Sequence, residues 1–135
     1  MVVSESHHSM NGIKILLVED DPSLAEMYSM KFQAEGYTIL TALNGEEGLE
    51  KALAESPALV LLDVMMPKMD GFAVLTELKK DLKTKDIPVV LLSNLGQKAD
   101  MEKGKQLGAV DYIVKASLTP AELFDKAMTF ITNKK

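Results

Sequence analysis

Five short runs of aliphatic residues recur along this chain, and a longer segment with helical spacing follows each of them. The runs cover residues 13–18, 37–42, 59–62, 89–92 and 110–114. Strands that alternate with helices form βαβ units, because a parallel strand pair needs a crossover connection. The pattern therefore predicts an α/β domain in which a parallel sheet carries helices on both faces.

The composition of the runs predicts the order of the strands. The first, third and fourth runs are almost purely aliphatic, as expected of strands that are buried on both faces. The second run contains Thr38 and Thr41 and the fifth contains Asp111, so these two tolerate an edge position. With right-handed crossovers, the expected order is 2-1-3-4-5. This is the flavodoxin-like doubly wound (βα)5 sandwich of three layers, whose sites lie beyond the carboxyl ends of the strands.

Helix boundaries carry recognisable signals. Asp21 before Pro22 predicts a capped helix start, and Asp70 predicts another. Gly108 predicts the end of the fourth helix, since glycine readily adopts the left-handed conformation found there. The third helix is predicted to carry apolar residues as far as Leu82.

Length and composition limit the number of domains, the compartment and the classes of partner. The 135 residues fit one domain, predicted at 12–133, with a disordered leader or tag remnant at 1–11 and a tail at 134–135. Cysteine is absent, which suits the reducing cytoplasm. The net charge of -5 argues against direct binding of nucleic acid, which needs a concentrated basic face. No apolar run is long enough to insert into a membrane.

Polar residues stand where the strands end. Four strands are predicted to deliver five of them to one crevice: Glu19, Asp20, Asp63, Ser93 and Lys115. Converging carboxylates repel one another unless a cation lies between them. Carboxylate oxygens suit a hard divalent ion, and Mg²⁺ typically takes one or two of them together with waters and a phosphate group.

These residue types are also suited to phosphoryl chemistry. A metal ion, a serine hydroxyl and a lysine ammonium together neutralise the three oxygens of a phosphoryl group while a carboxylate attacks the phosphorus. An aspartate that forms a covalent phosphoenzyme is an established nucleophile. Neither a histidine nor a cysteine is needed in the folded region, and none is present there.

Four segments carry a resemblance to a known family. They are ILLVEDDP (residues 15–22), LLDVMMPKMDG (61–71), LLS (91–93) and YIVK (112–115). With this set of segments, the chain resembles the response-regulator receiver domains of two-component signalling, including the chemotaxis regulators. The resemblance covers residues 12 to about 133.

The resemblance implies a role for each site residue. Asp63 is the implied phospho-acceptor. Asp20 and Asp63 are the implied ligands of Mg²⁺ (or Mn²⁺), with Glu19 acting through a water molecule and Met65 through its backbone carbonyl.

Three further residues take their roles from the same resemblance. Ser93 is implied to hydrogen-bond the phosphoryl group, and Lys115 to pair with it. Tyr112 is implied to be a switch residue that turns inward after the hydroxyl residue moves.

The implied function is a phosphorylation-dependent signalling switch. The phosphoryl group would come from a sensor histidine kinase or a histidine phosphotransfer protein. The chain would catalyse its own phosphorylation and dephosphorylation without being a conventional turnover enzyme. The output would pass to a downstream protein through the face formed by the fourth helix, fifth strand and fifth helix, from a monomer or a weak phosphorylation-dependent dimer.

Two positions depart from the family pattern. Asn94 stands where the family commonly has a small residue such as alanine, and it places a larger amide beside the phosphoryl site. Ala116 stands where a proline usually follows the lysine, often through a cis bond. A cis bond before a non-proline residue costs about 3 kcal/mol, so a trans bond is expected here.

Three alternatives are weighed against this interpretation. A flavodoxin-like cofactor binder would need a hydroxyl- and glycine-rich phosphate loop after the first strand, where this chain has acidic residues. A phosphatase of the haloacid dehalogenase type would need an aspartate at position 65, which is Met65. A pseudo-receiver, an interaction module that works without phosphorylation, is the main competitor because Asn94 and Ala116 depart from the pattern.

Overall fold

The structure is a computed structural model that describes residues 12–94 and 96–132. Five strands and five α-helices alternate along it. They are β1 (Lys14–Val18), α1 (Pro22–Ala34), β2 (Thr38–Ala42), α2 (Gly45–Glu55), β3 (Leu59–Asp63), α3 (Gly71–Lys80), β4 (Val89–Ser93), α4 (Lys98–Leu107), β5 (Asp111–Val114) and α5 (Pro120–Thr132). A 3-10 turn, Lys115–Ser117, lies between β5 and α5. The leader predicted at 1–11 and the tail at 134–135 lie outside the described residues.

The strands form one parallel sheet in the order β2-β1-β3-β4-β5, which confirms the predicted fold. Every residue of β3 and β4 is buried, whereas β2 and β5 are only partly buried. The composition of the runs therefore identified the edge strands correctly, because a strand covered by helices on both faces excludes polar side chains.

Alternate side chains of the central strands point to opposite faces of the sheet and form two cores. Leu16, Val60 and Leu91 belong to the core under α2 and α3, which half-buried residues at the end of α4 also contact. Leu17, Leu61 and Leu92 belong to the core under α1 and α5. Since the sheet holds a core on each face, its strand positions are tightly determined, and so are the loops at the strand ends.

The helix signals are confirmed with one exception. Asp21 accepts hydrogen bonds from the backbone N–H groups of Ser23 and Leu24, and Asp70 accepts one from Ala73. Gly108 ends α4 with a φ of 108°. The prediction for Leu82 is wrong: α3 ends at Lys80, and Leu82 is 80% exposed.

The first, second and fifth strands begin one residue later than the aliphatic runs predict, at Lys14, Thr38 and Asp111. Aliphatic character reports burial, whereas a strand is defined by its hydrogen-bonded partners, so the two need not start together. No helix within the described residues is both long enough and apolar enough to span a bilayer.

Candidate functional site

The carboxyl edge of the sheet brings the predicted polar residues together. Glu19 follows β1, Asp63 ends β3, Ser93 ends β4 and Lys115 follows β5. Each of these four residues is less than a tenth exposed. With the exposed Asp20 they line a cavity of about 300 Å³. The predicted crevice therefore exists, and it has contributions from four strands.

Lys115 links two of the buried carboxylates. Its Nζ lies 2.9 Å from Oε1 of Glu19 and 3.2 Å from Oδ2 of Asp63. Buried charges are costly unless they are paired, and one ammonium here faces two carboxylates. The other oxygen of Glu19 accepts a hydrogen bond of 3.2 Å from the backbone N–H of Asp21. Each carboxylate oxygen of Glu19 therefore has its own partner, Lys115 for one and the backbone of Asp21 for the other.

The pKa of Asp63 follows from this environment. Burial and the nearby Glu19 carboxylate raise the pKa of Asp63 to about 7, and Lys115 opposes the shift without cancelling it. For Lys115, burial lowers the pKa, but the hydrogen bond to Glu19 and the charge of Asp63 outweigh it, so its pKa is raised. The lysine is therefore a permanent cation near neutral pH, while the aspartate is poised between its two protonation states.

The three acidic residues fit a divalent metal ion. Carboxylate oxygens of Glu19, Asp20 and Asp63 all lie within 4.8 Å of one another. The donor set consists only of oxygen atoms, which is what Mg²⁺ and Mn²⁺ prefer, and Lys115 alone leaves the site with excess negative charge. A cation at this point would relieve the repulsion that raises the pKa of Asp63.

Met65 borders the site, whereas Tyr112 lies further away. The backbone N–H of Met65 donates a hydrogen bond of 3.4 Å to Oδ1 of Asp63, and its side chain is 60% exposed. Tyr112 is half-buried in β5 and packs against the core under α2 and α3. It lines a separate cavity of about 380 Å³. The metal-binding carbonyl of Met65 and the switching role of Tyr112 stay predictions.

The two departures from the family pattern occupy the edge of the site. Asn94 is exposed and lines the same cavity as Asp63 and Lys115. The bond between Lys115 and Ala116 is trans, as expected, since the described residues contain no cis peptide bond. Even with this trans bond, Lys115 reaches both carboxylates.

Sequence reasoning missed the close approach of Gly71 to Asp63 and the proximity of Tyr28 to the charged groups of the site. A Cβ built on Gly71 would lie 2.4 Å from the carbonyl oxygen of Asp63, so only glycine lets α3 start this close to Asp63. Tyr28 is buried, and burial raises its pKa while the charge of Lys115 lowers it. The available signals were weak, because Gly71 follows a cap and Tyr28 lies in the apolar stripe of α1.

Comparisons with known proteins agree with this geometry. Residues 15–128 match the family model of the response regulator receiver domain. The chain is 45% identical over 114 residues to the probable transcriptional regulator ycf27 of Cyanophora paradoxa, covering 84% of this chain and 46% of that protein. It is 40% identical over 102 residues to the DNA-binding dual master transcriptional regulator RpaA of Synechocystis, covering 76% and 42%.

Solved structures give the same result. The chemotaxis response regulator CheY4 of Vibrio cholerae is similar with a TM-score of 0.82 and 30% sequence identity, over 87% of this chain and 98% of that chain. The chain thus matches nearly the whole of that structure but spans less than half the length of the two transcriptional regulators.

Proposed function

The chain belongs to the response regulator receiver domain family of two-component signalling, and on that premise we propose that it is a switch controlled by phosphorylation of Asp63. We take residues 12–133 as the bounds of the domain. The phosphoryl donor would be a sensor histidine kinase or a histidine phosphotransfer protein, and the compartment the cytoplasm, which the absence of cysteine suits.

One observation carries the proposal: a buried aspartate with a lysine ammonium 3.2 Å away and two further carboxylates within 4.8 Å. Two buried carboxylates that share a single cation are unfavourable for stability, since each unpaired buried charge keeps a desolvation cost. Perturbed carboxylates in a cleft are characteristic of functional sites. A site that receives a divalent metal ion and a phosphoryl group would account for this arrangement of charges.

Glu19, Asp20 and Asp63 would hold Mg²⁺ or Mn²⁺, with the backbone carbonyl of Met65 as a further ligand. When bound, the ion would supply positive charge to the carboxylates and to the oxygens of the incoming phosphoryl group.

The reaction would form one bond and break one. An ionised oxygen of Asp63 attacks the phosphorus of a phosphohistidine, and the phosphorus–nitrogen bond breaks with its electron pair left on the imidazole, which takes up a proton from water. Lys115 already contacts Oδ2 of Asp63 and would pair with a phosphoryl oxygen, while the Ser93 hydroxyl would donate to another. Both groups are buried at the carboxyl edge of the sheet, so they already lie close to the position that the phosphoryl group would take.

The output would follow from the movement of Ser93 toward the phosphoryl group. Ser93 and Val114 are paired across β4 and β5, so a shift at Ser93 reaches the strand that carries Tyr112. The face formed by α4, β5 and α5 would then exist in two conformations, and phosphorylation would shift the population from one to the other. On this basis we propose that phosphorylation alters partner binding at this face, and that the chain is a monomer or forms a weak dimer that depends on phosphorylation.

A second candidate function is suggested by the relatives. Two of them are named transcriptional regulators, and one of these is described as DNA-binding. The chain matches less than half of each, so a longer protein that contains this domain would regulate transcription through a part outside the match. The net charge of -5 indicates that the 135-residue chain would not bind DNA by itself, and a duplex-binding assay at low salt tests this directly.

The decisive test of phosphorylation is intact mass after incubation with acetyl phosphate and Mg²⁺. Wild-type protein is expected to gain one phosphoryl group, and Asp63→Asn none, because an amide oxygen is not a nucleophile of comparable strength. Asp125→Asn is a matched control on the exposed surface of α5 and should behave as wild type.

The same measurement separates the switch from a pseudo-receiver. Uptake by Asp63→Asn at the wild-type rate would refute the acceptor assignment. Failure of the wild type to take up phosphate, with its fold intact, would favour an interaction module that works without phosphorylation.

A further inference from the structure

A second cavity adjoins the phosphoryl site and has a different chemical character. It measures about 550 Å³, within the range of ligand-binding pockets, and lies between the loop that follows β3 and the start of α4. Val64, Met66 and Phe72 form its apolar floor. Val64 and Phe72 are themselves buried among core residues, so the floor is rigid, whereas the thioether of Met66 can adapt to different occupants.

The rim of this cavity is acidic. Asp20 contributes from the end of β1, Asp70 from the cap of α3 and Asp100 from the first turn of α4. No lysine lines the cavity, and within residues 12–94 and 96–132 no lysine forms an ion pair with any of these three aspartates. An occupant therefore meets an apolar floor below and, around it, three aspartates that no lysine of the described residues pairs with.

One cation of the chain lies close to this cavity. The ammonium of Lys103 lies 4.5 Å from the centroid of the Phe72 ring, where the ring face is electron-rich. Lys103 is exposed and does not line the cavity, so it leaves the space open.

We propose that this cavity, with the acidic rim of Asp20, Asp70 and Asp100, binds a segment of a partner protein that carries an apolar side chain next to lysine or arginine. The apolar side chain would enter over Phe72 and Met66, and the flanking cation would face the aspartates. Charge complementarity with a desolvated apolar contact at its centre is the usual composition of a specific protein contact.

The position of the cavity couples it to the phosphoryl site. Asp20 and Met65 line both cavities. A bound segment and a bound metal ion would therefore both interact with the carboxylate of Asp20. This coupling rests on the proposed function, whereas binding of the segment does not. Loss of one can therefore be observed without loss of the other.

The experiment is an NMR titration of the metal-free protein with a pentapeptide of alternating arginine and leucine, followed at the amide and methyl signals. Two control peptides replace leucine by serine or arginine by glutamate. The arginine–leucine peptide is expected to shift Val64, Met66 and Phe72 and to bind about tenfold more tightly than either control. Equal binding of the arginine–serine peptide, or shifts centred elsewhere, would overturn the proposal.

Variants sharpen the result. Asp100→Asn removes a rim charge on the surface and should weaken binding about two- to fivefold, the effect of one exposed charge pair. Asp86→Asn removes an exposed charge before β4, at the opposite edge of the sheet, and should leave binding unchanged. Lys103→Gln removes the competing cation and should strengthen binding. If Asp86→Asn and Asp100→Asn weaken binding equally, the attraction is only that of the overall charge and no site exists.

Phosphoryl uptake is measured on the same variants by intact mass. Normal uptake without binding of the peptide would reject the docking site alone. Binding without uptake would reject the phosphorylation proposal alone.

Discussion

Among the single residues, Asp63 has a proposed reactivity and a pKa that oppose each other. It must be ionised to act as a nucleophile, yet burial and Glu19 raise its pKa to about 7. In the metal-free protein Asp63 is therefore partly protonated near neutral pH. Binding of a cation would favour the ionised form, so metal binding and readiness to react are linked through one carboxylate.

This pKa predicts how stability depends on pH. The unfolded pKa of an aspartate is about 3.9, so the folded state of this protein holds the proton more tightly. The resulting stabilisation is complete below about pH 4 and is lost as the pH rises to about 7. Between about pH 5 and about pH 8, metal-free wild type should lose roughly 1–3 kcal/mol of unfolding free energy relative to Asp63→Asn.

Urea unfolding of both proteins in the presence of a chelator measures this difference. Stability curves that run parallel across this pH range would show that the carboxyl of Asp63 titrates as it does in the unfolded chain. Asp125→Asn serves as the control, since it removes an exposed carboxyl far from the site.

At the level of elements, the start of α3 holds the acceptor strand in place. Gly71 is buried, its N–H donates a hydrogen bond of 2.8 Å to the carbonyl of Val64, and a Cβ there would also lie 2.8 Å from Cα of Val64. These contacts are with backbone atoms, which cannot turn aside as a flexible side chain can. The loop between β3 and α3 is therefore closed tightly under Asp63.

Gly71→Ala should displace this loop and lower the unfolding free energy by about 1–3 kcal/mol, the usual cost of overpacking. It should also slow phosphoryl uptake, because Asp63 would move relative to Lys115. Gly104→Ala is the matched control: its Cβ would lie 2.6 Å from the side chain of Leu91, away from the acceptor. We expect Gly104→Ala to keep its uptake rate, because the end of the Leu91 side chain can move aside; equal slowing of both variants would contradict a specific role of Gly71.

For the molecule as a whole, a metal ion held by the cluster of acidic residues would make folding and metal binding depend on each other. A ligand that binds only the folded state raises the unfolding free energy by about 2.7 kcal/mol at a concentration of 100 times its Kd. We expect Mg²⁺ to raise the melting temperature of the wild type, and to raise it much less in Asp20→Asn. Thermal unfolding across a Mg²⁺ series measures this effect.

Sodium chloride at equal ionic strength is the control for that series, because screening alone would also relieve repulsion among the carboxylates. An equal rise in melting temperature with both salts would mean that no metal site forms. A rise with Mg²⁺ that persists in Asp20→Asn would place the ion elsewhere.

The sequence by itself determined the architecture and which polar side chains meet at the carboxyl edge of the sheet. The run of Leu59 to Leu62 indicated a central strand, Thr38 and Asp111 indicated edge strands, and Asp70 indicated a helix start. The resemblance then pointed to Asp63 and Lys115. These features are readable because burial and capping act on each residue through its near neighbours, so they leave a periodic or local trace.

Only the tertiary structure decided how the residues act on one another. The pairing of Lys115 with both Glu19 and Asp63, the pKa of Asp63 and the contact of Gly71 with the Asp63 carbonyl depend on distances between separate elements. The cavity lined by Asp20, Asp70, Asp100 and Phe72 also depends on distances between separate elements. Charge interactions and burial depend on spatial separation and solvent access, which residues far apart in the chain acquire only when the sheet and helices pack.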